Sequence, residues 1–277
     1  MTGQNKAIGD GRRWSMVAMA TILMICLGTV YAWSFFQTPI MKSYGWNNAQ
    51  VSLTFSLAIF FLGLSAAVGG IFLPKLGPRV LAISGSILFS SGYAIAGLAL
   101  SIPSLPLLYL GYGVIGGTGL GLGYVTPVAT VAKWFPDKKG LATGIVVMGF
   151  GFGALAMSKI LAPSLLAWTG GNLVAVFLWL ALFFAVLTIL SSLGLANPPQ
   201  PKAAAPMNPA QAFQDAKPSL RSKSFLLVWL MFFCNITAGI AVVGFQSPMF
   251  QELLGRRDSG LSASSLASMG ATLIAIT

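Results

Sequence analysis

One charged side chain, Lys159, stands inside a long apolar run of this 277-residue chain. An ammonium within lipid is costly and usually serves a function, so Lys159 is a candidate contact for an anion. It also lies late in its run, where a long side chain can reach back to the headgroups, and that second reading stands beside the first. No Asp or Glu falls within an apolar run, which leaves a carboxylate proton relay without residues in this stretch. The chain has no His, and Cys26 and Cys234 stand far apart with no further ligand nearby. Both cysteines therefore read as small buried hydrophobes, and no metal is expected. The string Gly111-Tyr-Gly113-Val-Ile-Gly116 spells a dinucleotide fingerprint but has neither a strand before it nor an acidic residue at the needed distance. Its glycines read instead as helix-packing positions. Without a nucleophile and base, or a pair of groups for acid/base work, an enzyme is not expected and no cofactor is implied.

Membrane-spanning helices are the elements that must hold these residues. Hydrophobic residues make up 56% of the chain and charged residues 8%, against roughly 25% charged in an ordinary soluble domain; the mean hydropathy is +0.83. A net charge of +11 would suggest nucleic acid in a soluble protein. Here the bases lie between apolar runs, so membrane topology accounts for them and no nucleic-acid partner is expected. A bilayer core about 30 Å thick needs about 20 apolar residues. Such runs extend from Trp14 to Phe36, Gln50 to Phe72, Val80 to Leu100, Leu105 to Val128, Leu141 to Leu161, Leu173 to Leu195 and Phe225 to Pro248. An eighth begins at Leu261 and is interrupted at Thr277. The first run is longer than a signal-peptide core and has no small-residue cleavage site, so it stays as a span.

Alternate connections differ in basic residues. Lys6, Arg12, Arg13, Lys75, Arg79, Lys133, Lys138, Lys139, Lys202, Lys217, Arg221 and Lys223 fall on one side; Lys42, Arg256 and Arg257 fall on the other. Because translocation of basic loops is disfavoured, this predicts a multi-pass cell-membrane protein with a cytoplasmic N-terminus. The expected organisation is a cytoplasmic N-terminus over 1–13, a six-helix bundle over 14–195, a cytoplasmic Pro/Ala/Lys-rich linker over 196–224, and the start of a second bundle over 225–277. Phe36-Gln37-Thr38-Pro39, at the end of the first run, recurs as Phe245-Gln246-Ser247-Pro248 at the end of the seventh. That echo fits a parallel repeat of two halves. Gly113, Gly117 and Gly121, four apart, predict close helix contact; Gly149, Gly151 and Gly153 predict the same and would let the fifth helix shift against a neighbour.

Between the second and third runs stands Gly70-Ile-Phe-Leu-Pro74-Lys-Leu-Gly77-Pro-Arg79. This loop resembles that of the major facilitator superfamily, in which Gly-x-x-x-Asp-x-x-Gly-x-Arg joins helices 2 and 3. Gly70, Gly77 and Arg79 fall on the motif's positions, as residues of a conformational loop. Pro74 replaces the Asp, which removes the acidic member of the family's charge relay. Lys133-Trp134-Phe135-Pro136-Asp137-Lys138-Lys139-Gly140-Leu141-Ala142-Thr143-Gly144 and Tyr31-Ala-Trp33-Ser-Phe-Phe are similar to the oxalate/formate antiporter branch.

The resemblance implies an all-α, major-facilitator-type helical bundle: a complete six-helix N-terminal half, helix 7 and part of helix 8, belonging to a chain of about twelve helices. It further implies a secondary transporter of small mono- or dicarboxylates, working as an antiporter by alternating access. Alternatives are a carrier of other monocarboxylates such as lactate or pyruvate, and a carboxylate sensor built on the same scaffold. The expected partners are the carboxylate and the lipid bilayer, with the protein a monomer. The family's cavity aromatics correspond to Tyr31, Tyr124 and Phe150, the last replacing a tyrosine. Trp33 is either a further cavity residue or an interfacial anchor. The family's main anion-binding cations, on helices 8 and 11, fall beyond Thr277.

Overall fold

The computed structural model describes residues 10–199, 218 and 222–255, and every regular element among them is helical. Lys6, Lys202, Lys217, Arg221, Arg256, Arg257, most of the expected linker and the run from Leu261 lie outside the described residues. Helix α1 covers Gly11–Tyr44, with a tightened 3-10 turn at Thr29–Ala32. The continuous segment Asn48–Ser101 is two spans, α2 (48–76) and α3 (78–101), joined at Gly77, whose φ of 77° and ψ of 164° leave the helical region. Glycine adopts such a positive φ at little cost, and Pro78 behind it starts a new helix. Next come α4 (Leu105–Trp134), α5 (Lys139–Trp168), α6 (Leu173–Gly194) and α7 (Lys223–Gly255).

The first helix is longer than its apolar run. Pro39 removes one backbone donor but α1 continues to Tyr44, where Gly45 turns left-handed at φ 68° and its N–H closes on the Met41 carbonyl at 2.9 Å. The repeated Phe-Gln-Thr/Ser-Pro sequence thus lies inside α1 and α7 rather than at their ends, α1 running on to Tyr44 and α7 through Gly255. Two π turns were also invisible in the spacing: Tyr109–Gly116 in α4 and Met157–Leu161 in α5.

Lipid offers helices no hydrophobic reason to associate, so close packing of small residues must supply one. Helix α4 does this on two faces. A Cβ at Gly113 would meet Leu57 at 2.8 Å, one at Gly117 would meet the Ala58 carbonyl at 2.6 Å, and one at Gly121 would overlap Leu62 and Ser65, all on α2. Gly116 and Gly119 rest against Gly92, Gly85 and Phe89 of α3. In α5, Gly149 and Gly153 lie on Thr21, Ile25 and Gly28 of α1, as expected. Gly151 faces open space and does not share in that contact. Helix α6 closes the bundle against α3, where Ser86 and Ser192 hydroxyls meet at 2.9 Å. The buried apolar core runs from Met16 to Leu195, and α7 packs beside it on the Trp33–Tyr44 part of α1 and on α2.

Candidate functional site

The 3-10 turn of α1 presents Tyr31, the middle of α4 presents Tyr124 and α5 presents Phe150. Their rings come together. Phe150 meets Tyr31 edge-on at 5.1 Å between centroids and Tyr124 edge-on at 5.2 Å. Both contacts have the T-shaped geometry that places a ring's positive edge on another's negative face. Phe150 is brought there by glycine: its backbone carbonyl presses on Gly28, where any Cβ would collide, so α5 lies against α1 one turn before Tyr31. Phe150 is 5% exposed, while both tyrosines remain half-buried.

Lys159 is nine residues beyond Phe150, about 14 Å along the helix. It is exposed, and the π turn that carries it packs against the 3-10 turn that carries Tyr31. A π turn re-aims side chains relative to the regular helix, and such turns recur at functional positions. Trp33 is elsewhere. It is 1% exposed, its ring lies 4.4 Å from Tyr112 and 6.4 Å from Phe177, and its indole N–H donates to the Val51 carbonyl at 3.2 Å. That is a packed core position, whose ring contacts are with Tyr112 and Phe177 and not with the three rings. Gly77 forms the positive-φ link between α2 and α3, and Gly70 and Arg79 are exposed beside it.

Three groupings of residues were not drawn from the spacing. Gln37 is fully buried, its amide N–H group donating to Asn48 Oδ1 at 2.9 Å and to the Ser52 hydroxyl, with Oε1 left unpartnered. Gln37 falls just past the end of the first apolar run, where a polar residue draws no notice. Arg13 reaches across to the α4–α5 connection: Nε donates to the Trp134 carbonyl at 3.1 Å, the guanidinium lies 4.4 Å from the Phe135 ring centroid, and a terminal nitrogen pairs with Asp137. A hydrogen bond from its own backbone N–H, and then the Arg13 guanidinium, hold the Asp137 carboxyl below the usual carboxylate range. Finally, Ser52, Phe55, Ser56 and Ile59 of α2 and Ile236, Thr237, Ile240 and Gly244 of α7 line a crevice of about 370 Å³, neutral and separate from the three rings. Among the described residues no group of His, Cys, Asp and Glu could hold a metal ion.

Comparison with known proteins agrees with this architecture. A family model described as Major Facilitator Superfamily matches residues 16–277. The chain is 29% identical over 253 residues to the oxalate:formate antiporter of Oxalobacter formigenes, covering 91% of this chain and 59% of that protein. It is 30% identical over 196 residues to apicoplast pyruvate carrier 1 of Toxoplasma gondii, covering 56% of this chain and 36% of the relative. It is 27% identical over 168 residues to monocarboxylate transporter 13 of Rattus norvegicus, covering 59% and 39%. Among solved structures, a D-xylose-proton symporter superposes with a TM-score of 0.60 at 17% identity, over 95% of this chain and 66% of that one. The chain thus spans less than two thirds of the length of each.

Proposed function

The chain belongs to the Major Facilitator Superfamily, and from that premise we propose that it forms the first half, and a little more, of a secondary carrier for small carboxylates. The observation that carries the proposal is the convergence of Tyr31, Tyr124 and Phe150 from three helices. Flat aromatic walls suit a small planar anion, and a cation along its path would attract it toward them. Lys159, on the turn packed against that of Tyr31, is the candidate cation within this stretch. Relatives named for oxalate, formate, pyruvate and monocarboxylates support the same class of substrate. Phe150, where the resembled branch carries tyrosine, removes a hydroxyl from the wall and argues for a ligand with one hydrogen-bond acceptor fewer to satisfy.

Transport proceeds by alternating access: the six-helix unit rocks against a second unit that begins with α7, exchanging one carboxylate for another. The Gly77 hinge and Arg79 form the loop on which the second and third helices move together. Lys75, Arg79, Lys133, Lys138 and Lys139 on one side, against Lys42 on the other, support a cytoplasmic N-terminus in the cell membrane.

The test is counterflow of radiolabelled oxalate, formate and other short carboxylates in proteoliposomes holding the complete gene product that contains this chain. Tyr124→Ala and Lys159→Gln accompany the wild type. Saturable counterflow that weakens in both variants is expected. Binding without flux would replace the carrier with a sensor, and indifference to every carboxylate would end the substrate assignment.

A further inference from the structure

Arg13 is attached to the α4–α5 connection in three unlike ways. It donates to a backbone carbonyl, lies on an aromatic face and pairs with a carboxylate. Lys138 and Lys139 adjoin Asp137 in the chain, yet the pair is made with a residue 124 positions away. The floor of this clasp is firm, since Trp134 is 2% and Phe135 3% exposed. The Trp134 indole N–H also donates to the Ala196 carbonyl at 2.7 Å, just past the end of α6, and Trp14 meets Phe135 edge-on at 5.3 Å. An isolated exposed ion pair contributes little to stability. Three attachments to one planar guanidinium do something different: they define where the group sits and how it is turned.

The helices joined here are those that carry the rings. Tyr124 lies ten residues before Trp134 and Phe150 eleven after Lys139, about 15 Å along each helix. Close to the rings, α1 and α5 meet at Gly28, Gly149 and Gly153. These contacts bring the two helices close, and an anchor at one end of them fixes where the helices meet along their axes.

We infer that Arg13 is a positioning residue which, held by Trp134, Phe135 and Asp137, sets the register of α1 against α4 and α5 and so the spacing of Tyr31, Tyr124 and Phe150. The inference rests on those rings forming the carboxylate site. Lysine at this position would keep the charge but lose the fork and the plane.

The experiment uses the complete gene product with Cys26 and Cys234 replaced by serine and spin labels at Ile22 and Val147, exposed positions on α1 and α5. The distance between labels is read without substrate, and carboxylate KM and Vmax are read by counterflow. In Arg13→Lys the label distance is expected to shift, and KM to rise roughly 2- to 30-fold, the span of coupling carried through packed side chains, with a smaller change in Vmax. Asp137→Asn, which keeps the shape of the side chain, is expected to move both in the same direction and serves if Arg13→Lys does not fold. A folded variant with the wild-type label distance overturns the inference, and so does a transporting variant with unchanged KM. Absence of counterflow in the wild type would instead remove the carboxylate reading, leaving the label distance to decide the register.

Discussion

At the scale of single residues, Phe150 and Asp137 yield separate measurements. Phe150 makes two edge-to-face contacts, each contributing about 0.5–1.5 kcal/mol beyond area burial. Phe150→Leu is therefore expected to destabilise the protein by about 1–3 kcal/mol in a detergent melting assay, whereas Phe150→Tyr should melt near wild type and change which carboxylates compete in counterflow. Asp137 has a lowered folded-state pKa. A depressed carboxylate contributes stability above its unfolded pKa, about 3.9, and loses it as pH falls through the folded value. The difference in melting temperature between wild type and Asp137→Asn should thus be constant from about pH 5 to 8 and shrink only at more acidic pH. A difference that vanished near neutrality would show that the carboxylate is not held by Arg13.

Helix packing turns on which glycine faces what. Gly151 and Gly153 are two residues apart on α5, yet a Cβ at Gly153 would overlap the Ile25 carbonyl and come within 2.8 Å of Gly28, whereas one at Gly151 would meet nothing. Gly153→Ala should cost about 1–3 kcal/mol by overpacking, while Gly151→Ala should stay within about 0.5 kcal/mol of wild type. Equal melting temperatures for the two would mean that α1 and α5 do not approach as described. The same contrast separates Gly77 from its neighbours. At φ 77°, a side chain there is strained whatever space surrounds it.

For the molecule as a whole, the distribution of the core suggests how the chain divides. Buried apolar residues extend from Met16 to Leu195, and among the described side chains α7 adds the partly buried Ile240 and Val243. A six-helix unit with its own core should tolerate a break between it and α7. Two fragments of the complete gene product, cut between residues 200 and 217 and co-expressed, are expected to copurify and recover counterflow. If the six-helix fragment is degraded even when its partner is present, the core does not stand by itself. The broad outward faces of α2 and α6, with Phe60, Leu64, Leu182 and Leu190 exposed, are what lipid and a second unit would cover.

The sequence alone determined the helical membrane class, the seven described spans, the basic asymmetry and the family resemblance, because a bilayer imposes length and apolarity on every span residue by residue. It also indicated Tyr31, Tyr124 and Phe150, though only through resemblance, and marked Lys159 because an intramembrane charge is rare. Tertiary structure decided what faces what. Trp33 and Tyr31 are two residues apart on one helix, yet one is sealed among Tyr112 and Phe177 while the other opens toward Phe150. The two π turns, the unpartnered Gln37 carbonyl and the bond from Arg13 to a residue 124 positions away carry no periodic signal. In an all-apolar span, pattern cannot separate lipid-facing from core-facing positions, since lipid tails are as apolar as leucine; only the neighbouring helix assigns each face.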